Sequence, residues 1–493
     1  MAENDAVYKD KAEVTKLEFH GGAVVSAIPM LFFIVWAISC SLLDIANEQS
    51  LIIGSVIGLG IGMFVCKSSP DKYLQALTEG MTQSVAAVAI IAWFWAGSFA
   101  AILQKGGLVD GLVWAGLKTG VSGSIFTALT FILSATFGTA VGTGYGTLVS
   151  FTMLMYPAGI LMGCDPYVLI GAILSGSAFG DNLAPVSDTT IISATTQETD
   201  IMGVVRTRFK YSIVAGIIAT VLFLILGGNG DLSVNTTMVN NLTAQYANPK
   251  GLILLIPFAL VLILAFKGHN LIFSISIGII SSTILIVVAK LGTFADILHF
   301  DFEKATVTGA IADGVGGYLH MCVLLLLIMA AGYLIVAGDL MALLEKSIVR
   351  RVDGSVKKAE IAIWSIVAVL NALMSVNAAA EITAAPFVKS IGNEFNIHPY
   401  RRANMLDAIS AAGGFTLPWS GGVLLAVSVV NGMLEQYPFL TQIKAGDIWY
   451  YSFHGWALIL VMLFAAVTSW DLTYKGENGE PIKAKNVQKN HSK

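Results

Sequence analysis

Two aspartates, Asp181 and Asp188, lie in an apolar run punctuated by glycine, proline and hydroxyl residues, Gly176 to Thr190. An ionisable group at membrane depth is costly and is retained for a purpose. Neither has a Lys or Arg within a turn, and Asn182, Ser187, Thr189 and Thr190 surround them with oxygen. Hard oxygen ligands suit a small alkali cation. Two carboxylates sharing a low-dielectric site cannot both stay ionised once that cation leaves, so a proton can take its place. The pattern predicts a cation site of Asp181, Asn182, Ser187, Asp188 and Thr189. A plainer alternative makes the aspartates caps of a helix starting near Thr189, a role that Asp188 can combine with binding.

In the second half of the chain Asn377, Glu381, Asp407, Thr416 and Ser420 occupy comparable places and are the second set of ion or substrate candidates. The plainer alternatives are a hairpin tip facing water for Glu381 and an ion pair with Arg401 or Arg402 for Asp407. Asp110, Asp313 and Asp339 read as helix-end residues, and His320 as a packed or interfacial imidazole.

The elements that hold these residues follow from hydropathy. Of 493 residues 56% are hydrophobic and 12% charged, and the mean hydropathy is +0.76. Runs of about 20 apolar residues recur along the chain, which makes it an all-α polytopic membrane protein, because in lipid each backbone group must be satisfied within its own helix. Glycines, prolines and hydroxyl residues interrupt two of these runs, Gly176 to Thr190 and Ala411 to Gly422, and are expected to break the helices there. Phe137 to Gly146 and Ser375 to Glu381 read as tips of re-entrant hairpins. A shift of about 231 to 233 residues brings these marks into register, Pro166 onto Pro399, Pro185 onto Pro418 and Ser187 onto Ser420.

Cytoplasmic loops hold most of the Lys and Arg. With the N-terminus inside and the second repeat inverted, 22 of the 28 cations fall inside, leaving Lys105, Lys118, Lys250, Lys290, Lys304 and Lys444 outside. Two inverted-topology repeats with both termini cytoplasmic satisfy this rule, as in secondary transporters. The expected division is 1–19, a cytoplasmic segment; 20–72, two leading helices; 73–228, the first repeat; 229–305, an outside loop with connecting helices; 306–446, the second repeat; and 447–493, a last helix and Lys-rich cytoplasmic tail.

Other classes are disfavoured. A net charge of −4 without a basic block outside the tail excludes nucleic-acid binding. Cys40, Cys66, Cys164 and Cys322 are too scattered for a disulfide framework or a zinc knuckle and should pack as small apolar residues. Gly142 to Gly146 lacks the strand of a dinucleotide fingerprint, and no phosphate loop or H-E-x-x-H is present, which argues against an ATP-driven pump or an enzyme. No cofactor is expected beyond transported Na+ and H+. The expected partners are those ions and the lipid bilayer, with a homodimer allowed.

The stretch Phe179-Gly-Asp-Asn-Leu-Ala-Pro-Val-Ser-Asp-Thr-Thr190, followed by Ile-Ile-Ser-Ala and Val205-Arg-Thr-Arg208, resembles the signature of the NhaC family of sodium/proton antiporters, in the ion transporter superfamily. Members usually carry Lys or His where Asn182 stands and Ser where Ala184 stands; the paired aspartates are kept. The resemblance implies two inverted repeats with hairpins and broken helices, and exchange of cytoplasmic sodium for outside protons in the cell inner membrane. Some relatives exchange malate for lactate, and others in the superfamily move carboxylates or amino acids, so a sodium- or proton-coupled carrier of a small organic solute is the alternative.

Overall fold

The computed structural model describes residues 15–43, 45, 48–121, 123–228, 248–340, 342–344, 352, 354–477 and 479–483. The polar loop from Asn229 up to Asn248 and the tail beyond Lys483 lie outside them, as do the cations Lys346, Arg350 and Arg351. In chain order the main helices are α1 Ile28–Leu42, α2 Glu48–Val65, α3 Pro70–Met81, α4 Ser84–Lys105, α5 Leu108–Thr119, α6 Gly123–Val141, α7 Gly144–Leu161, α8 Pro166–Leu183, α9 Asp188–Thr196 and α10 Ile201–Leu226. They continue with α11 Leu255–Phe266, α12 Leu271–Val288, α13 Ala310–Gly316, α14 Leu319–Ala337, α15 Val356–Met374, α16 Asn377–Glu394, α17 Pro399–Gly413, α18 Gly421–Gly432 and α19 Phe453–Thr468. Strands among the described residues form two short hairpins, His299–Asp301 with Thr306–Thr308 and Thr473–Lys475 with Pro481–Lys483.

Nine of the described helical stretches are long and apolar enough to cross a membrane, or ten if Ala445–Tyr451 and Phe453–Thr468, bent by 52°, form one span. The chain is a multi-pass membrane protein. α1, α2, α10, α11 and α12 present large apolar side chains outward, including Val35, Phe64, Ile217, Ile256 and Ile284, as lipid-facing helices do. By contrast every residue of α7 is buried, and so is nearly all of α17. These inner helices carry the polar residues. All four cysteines are buried and unbridged.

The repeat is visible in the helix starts. α6 and α15, α7 and α16, α8 and α17, and α9 and α18 begin a constant distance apart (356 − 123, 377 − 144, 399 − 166 and 421 − 188 are each 233). The turn residues match as well: Gly142 at the α6–α7 tip has φ 79° and Ser375 at the α15–α16 tip has φ 61° (375 − 142 = 233). Each half is thus a hairpin followed by a broken helix. Proline explains two of the starts, since Pro166 and Pro399 sit at first-turn positions where no backbone N–H is needed.

α8 and α17 enter from opposite ends of α10. At the C-terminal end of α10 the Gly227 carbonyl accepts from Asp165 N–H at 3.0 Å, just before α8. At its N-terminal end the Asp200 carboxylate accepts from the Tyr400 hydroxyl, in the first turn of α17. α10 starts at Ile201 and so takes in Arg206, Arg208 and Lys210.

Candidate functional site

Both hairpin tips and both helix breaks meet at one place. The first tip touches the first break, where a Cβ on Gly144 would stand 3.0 Å from Asp181 Cβ. The second tip touches the second break, where a Cβ on Gly414 would stand 3.0 Å from Asn377 Cβ. Those are matched contacts, since Gly144 corresponds to Asn377 and Asp181 to Gly414 at the shift of 233 (377 − 144 and 414 − 181). The halves differ in chemistry: one break carries the acid, while the opposite hairpin tip carries the amide.

Asp181 is the centre of the cluster. It is 2% exposed and lies in the last turn of α8. Its Oδ1 accepts from Ser187 Oγ at 2.8 Å and from Gly144 N–H at 3.3 Å, and its Oδ2 accepts from Asn377 Nδ2 at 2.8 Å. One carboxylate thus joins the first break to both hairpins. Ser187 occupies the cap position of α9 but spends its hydroxyl on Asp181, on Asp188 at 3.5 Å and on Thr189 Oγ1 at 3.1 Å. Half-buried Asp188 is held by Thr189 N–H at 2.9 Å. Of the five cation-site residues, Asp181, Ser187, Asp188 and Thr189 form one connected oxygen cluster.

Asn182 turns the other way. Its Oδ1 accepts from Ser212 Oγ at 2.7 Å, its Nδ2 donates to Asp407 Oδ1 at 3.4 Å and its carbonyl accepts from Arg208 Nη1 at 2.6 Å. Arg208 is the functional residue that sequence reasoning missed. Fully buried, it pairs with fully buried Asp407 and also donates to Thr190 Oγ1 at 3.3 Å, Ser193 Oγ at 3.2 Å and Asn404 Oδ1 at 3.4 Å. Its signal in the sequence was helical spacing: Arg208 and Ser212 are four apart on α10 and face the same break. Asp407 accordingly does not pair with Arg401 or Arg402. Arg401 bonds Glu360 at 2.6 Å, and Arg402 donates to Asn393.

The plainer alternative for Glu381 is corrected too. Glu381 does not face water: it is fully buried on α16, and neither carboxylate oxygen has a hydrogen-bond partner among the described residues. The charges acting on it are those of Asp407, Arg208, Asp188 and Asp181, which sets it beside the cluster. Thr416 is buried, returns its hydroxyl to the Ala412 carbonyl and lies against Gly455 of α19. Ser420 stands at the cap position of α18, matched to Ser187, and its hydroxyl has no hydrogen-bond partner among the described residues. Asp313, Asp339 and His320 are exposed, and Asp110 is half-buried near the start of α5.

The site can hold a small cation. Among the described residues, four carboxylates, Asp181, Asp188, Glu381 and Asp407, stand around it against the guanidinium of Arg208, already engaged by Asp407. Among the described residues no three His, Cys, Asp or Glu side chains converge as a transition-metal site would need. Hydroxyl, amide and carboxylate oxygens are what remain, and they are alkali-cation ligands.

Residues 2–228 and 194–456 match the model of a family described as the Na+/H+ antiporter family. A malate-2H(+)/Na(+)-lactate antiporter of Bacillus subtilis (strain 168) is 28% identical over 225 residues, 45% of this chain and 47% of the relative. The arginine/ornithine antiporter ArcD of Halobacterium salinarum is 21% identical over 479 residues, 94% of each chain. The Na(+)/H(+) antiporter NhaC of Alkalihalophilus pseudofirmus is 25% identical over 210 residues, 42% of this chain and 45% of the relative. The chain spans about half the length of the first and last of these three.

Proposed function

Because the chain belongs to the Na+/H+ antiporter family, we propose that it exchanges sodium for protons across the bacterial inner membrane by alternating access, with Asp181 and Asp188 binding the two ions in turn. The observation that carries this reading is the charge balance at the helix breaks. Buried acids outnumber the one buried cation beside them, and that cation is already paired. Such a site is stable only when a cation or protons neutralise it. The cluster of Asp181, Ser187, Asp188 and Thr189 binds the cation, and Asn377 brings the second hairpin onto the same carboxylate.

In this reading residues 73–228 and 306–446 are inverted repeats, and both termini are cytoplasmic. The entry of α8 and α17 from opposite ends of α10 supports the inversion. Movement of one hairpin and broken helix against the other opens the site to alternate sides while Asp181 stays at the junction.

Purified protein in liposomes, with a pH-sensitive dye inside, tests this. Sodium or lithium added outside should drive protons across. Proton movement indifferent to every alkali cation would refute exchange. A coupled carrier of an organic solute is the second reading, supported by the lactate and arginine in the names of two relatives.

A further inference from the structure

Two helices leave the ion site side by side, and buried hydroxyls without partners follow the seam between them. α7 starts at the first hairpin tip and α18 at the second break, where the Tyr145 hydroxyl would lie 2.9 Å from a Cβ on Gly421. Farther along, Gln104 Nε2 of α4 donates to the Met153 carbonyl of α7 at 2.8 Å and meets Met433 Sδ, just past α18, at 3.4 Å. Starts adjoin and later turns adjoin, so the two helices run parallel. The Met153 carbonyl is free for Gln104 because Pro157, four residues on, has no N–H to offer it.

Tyr145, Thr152 and Tyr156 stand seven and four residues apart on α7 (152 − 145 and 156 − 152) and so share one face. On α18 Ser428 stands seven residues beyond Gly421 (428 − 421), on the face that Gly421 turns to Tyr145. The hydroxyls of all four residues are buried, and none has a hydrogen-bond partner among the described residues. Other helical hydroxyls of this chain turn back to the carbonyl four residues earlier, as Thr147 does to Thr143 at 2.7 Å and Thr139 to Ala135 at 2.8 Å. Thr152 and Ser428 do not. A buried hydroxyl left unpaired costs about 1–3 kcal/mol, a cost that is relieved when water or an ion enters the seam.

The seam also leads outward. Tyr156 lies in the last two turns of α7, and the chain beyond them reaches Asp165, whose N–H donates to the Gly227 carbonyl at the C-terminal end of α10. In the proposed topology the outside loop follows that end. From Tyr145 to Tyr156 the stripe spans about 16 Å at 1.5 Å per residue, and neither α7 nor α18 carries a charged residue.

We infer that the seam between α7 and α18 is the outward route by which ions pass between Asp181 and the outer surface, with Thr152, Ser428 and Tyr156 as its hydroxyl lining. Hydroxyls both donate and accept, so they can order water for a proton and replace part of the hydration of a sodium ion. A neutral lining lets either ion leave again. Tyr145 brings the route to the site, since Gly144 beside it donates to Asp181 Oδ1 at 3.3 Å. The inference rests on the proposed exchange and topology and names the path on one side of the membrane.

Cysteine labelling of the full chain in intact cells tests it, with the four native cysteines replaced by alanine and an impermeant cationic thiosulfonate added outside. At least one of Thr152→Cys and Ser428→Cys should be labelled, read from the mass of the purified protein. Ser150→Cys should not, because Ser150 is equally buried but stands two residues from Thr152, on the far face of α7. No labelling at Thr152 or Ser428, or equal labelling at Ser150, would overturn the route. In proteoliposomes Thr152→Val and Ser428→Ala should each slow sodium-driven proton movement about three- to tenfold, the worth of one neutral hydrogen bond, with the Km for sodium unchanged. Wild-type rates in both would overturn the part given to the hydroxyls. The labelling depends on no transport assay, so a parent chain that moves no protons would count against the exchange reading alone.

Discussion

Arg208 and Asp407 form an ion pair from which solvent is wholly excluded, and it ties α10 to α17 across the two halves of the chain. Arg208 also holds the Asn182 carbonyl in the last turn of α8, so one guanidinium bridges both broken helices. A buried pair is costly to break, because the surviving charge keeps its burial and loses its partner.

Arg208→Met and Asp407→Asn should therefore each destabilise the protein, by about 3–5 kcal/mol for loss of one partner. The double variant Arg208→Met with Asp407→Leu should recover most of that loss. Thermal unfolding in detergent reads the difference; equal damage in single and double variants would mean that the pair is not what holds the helices.

Close backbone packing joins α6 to α8. A Cβ on Gly180 would stand 2.5 Å from Gly138 Cα, where only backbone can give way. Gly180→Ala should cost about 1–3 kcal/mol through overpacking. Gly60→Ala, whose Cβ would meet nothing within 4 Å, is the control and should be near neutral. Fluorescence-detected size-exclusion after heating distinguishes them.

Lys357 and Lys304 are both exposed and report on orientation. A cysteine at Lys357 should react only from the cytoplasmic side and one at Lys304 only from outside. Labelling at Lys357 from outside would reverse the inverted topology. Arg401 is unsuitable for this purpose, being buried against Glu360.

Protons and sodium should compete for the aspartates, so the apparent Km for sodium should rise as pH falls, at little change in maximal rate. Proteoliposome assays at several pH values measure this. A pH-independent Km would separate the two ion sites.

Local features made much of the architecture legible. Pro166, Pro399, the glycines and the spacing of the breaks marked the helix starts, and the absence of a nearby cation singled out Asp181 and Asp188. Partners brought together by packing were not legible. Arg208 finds Asp407 in the other half of the chain, a partner that its neighbours in sequence, Arg206 and Lys210, do not reveal. Glu360 takes Arg401 for the same reason. Glu381, at the end of a predicted tip, is buried because the tip itself enters the bundle. Thr416, in the break after α17, turns its hydroxyl back onto the Ala412 carbonyl in the last turn of that helix.

The most direct test of the account is sodium-driven proton movement by Asp181→Asn in proteoliposomes. Asparagine keeps the volume and the bond to Ser187 but supplies no charge to balance sodium and cannot carry the exchanged proton. The account predicts a loss of at least about tenfold, from removal of one charge-assisted contact alone, with folding and insertion preserved. Exchange at the wild-type rate would contradict it, because the ions would then be bound without the carboxylate on which both halves converge.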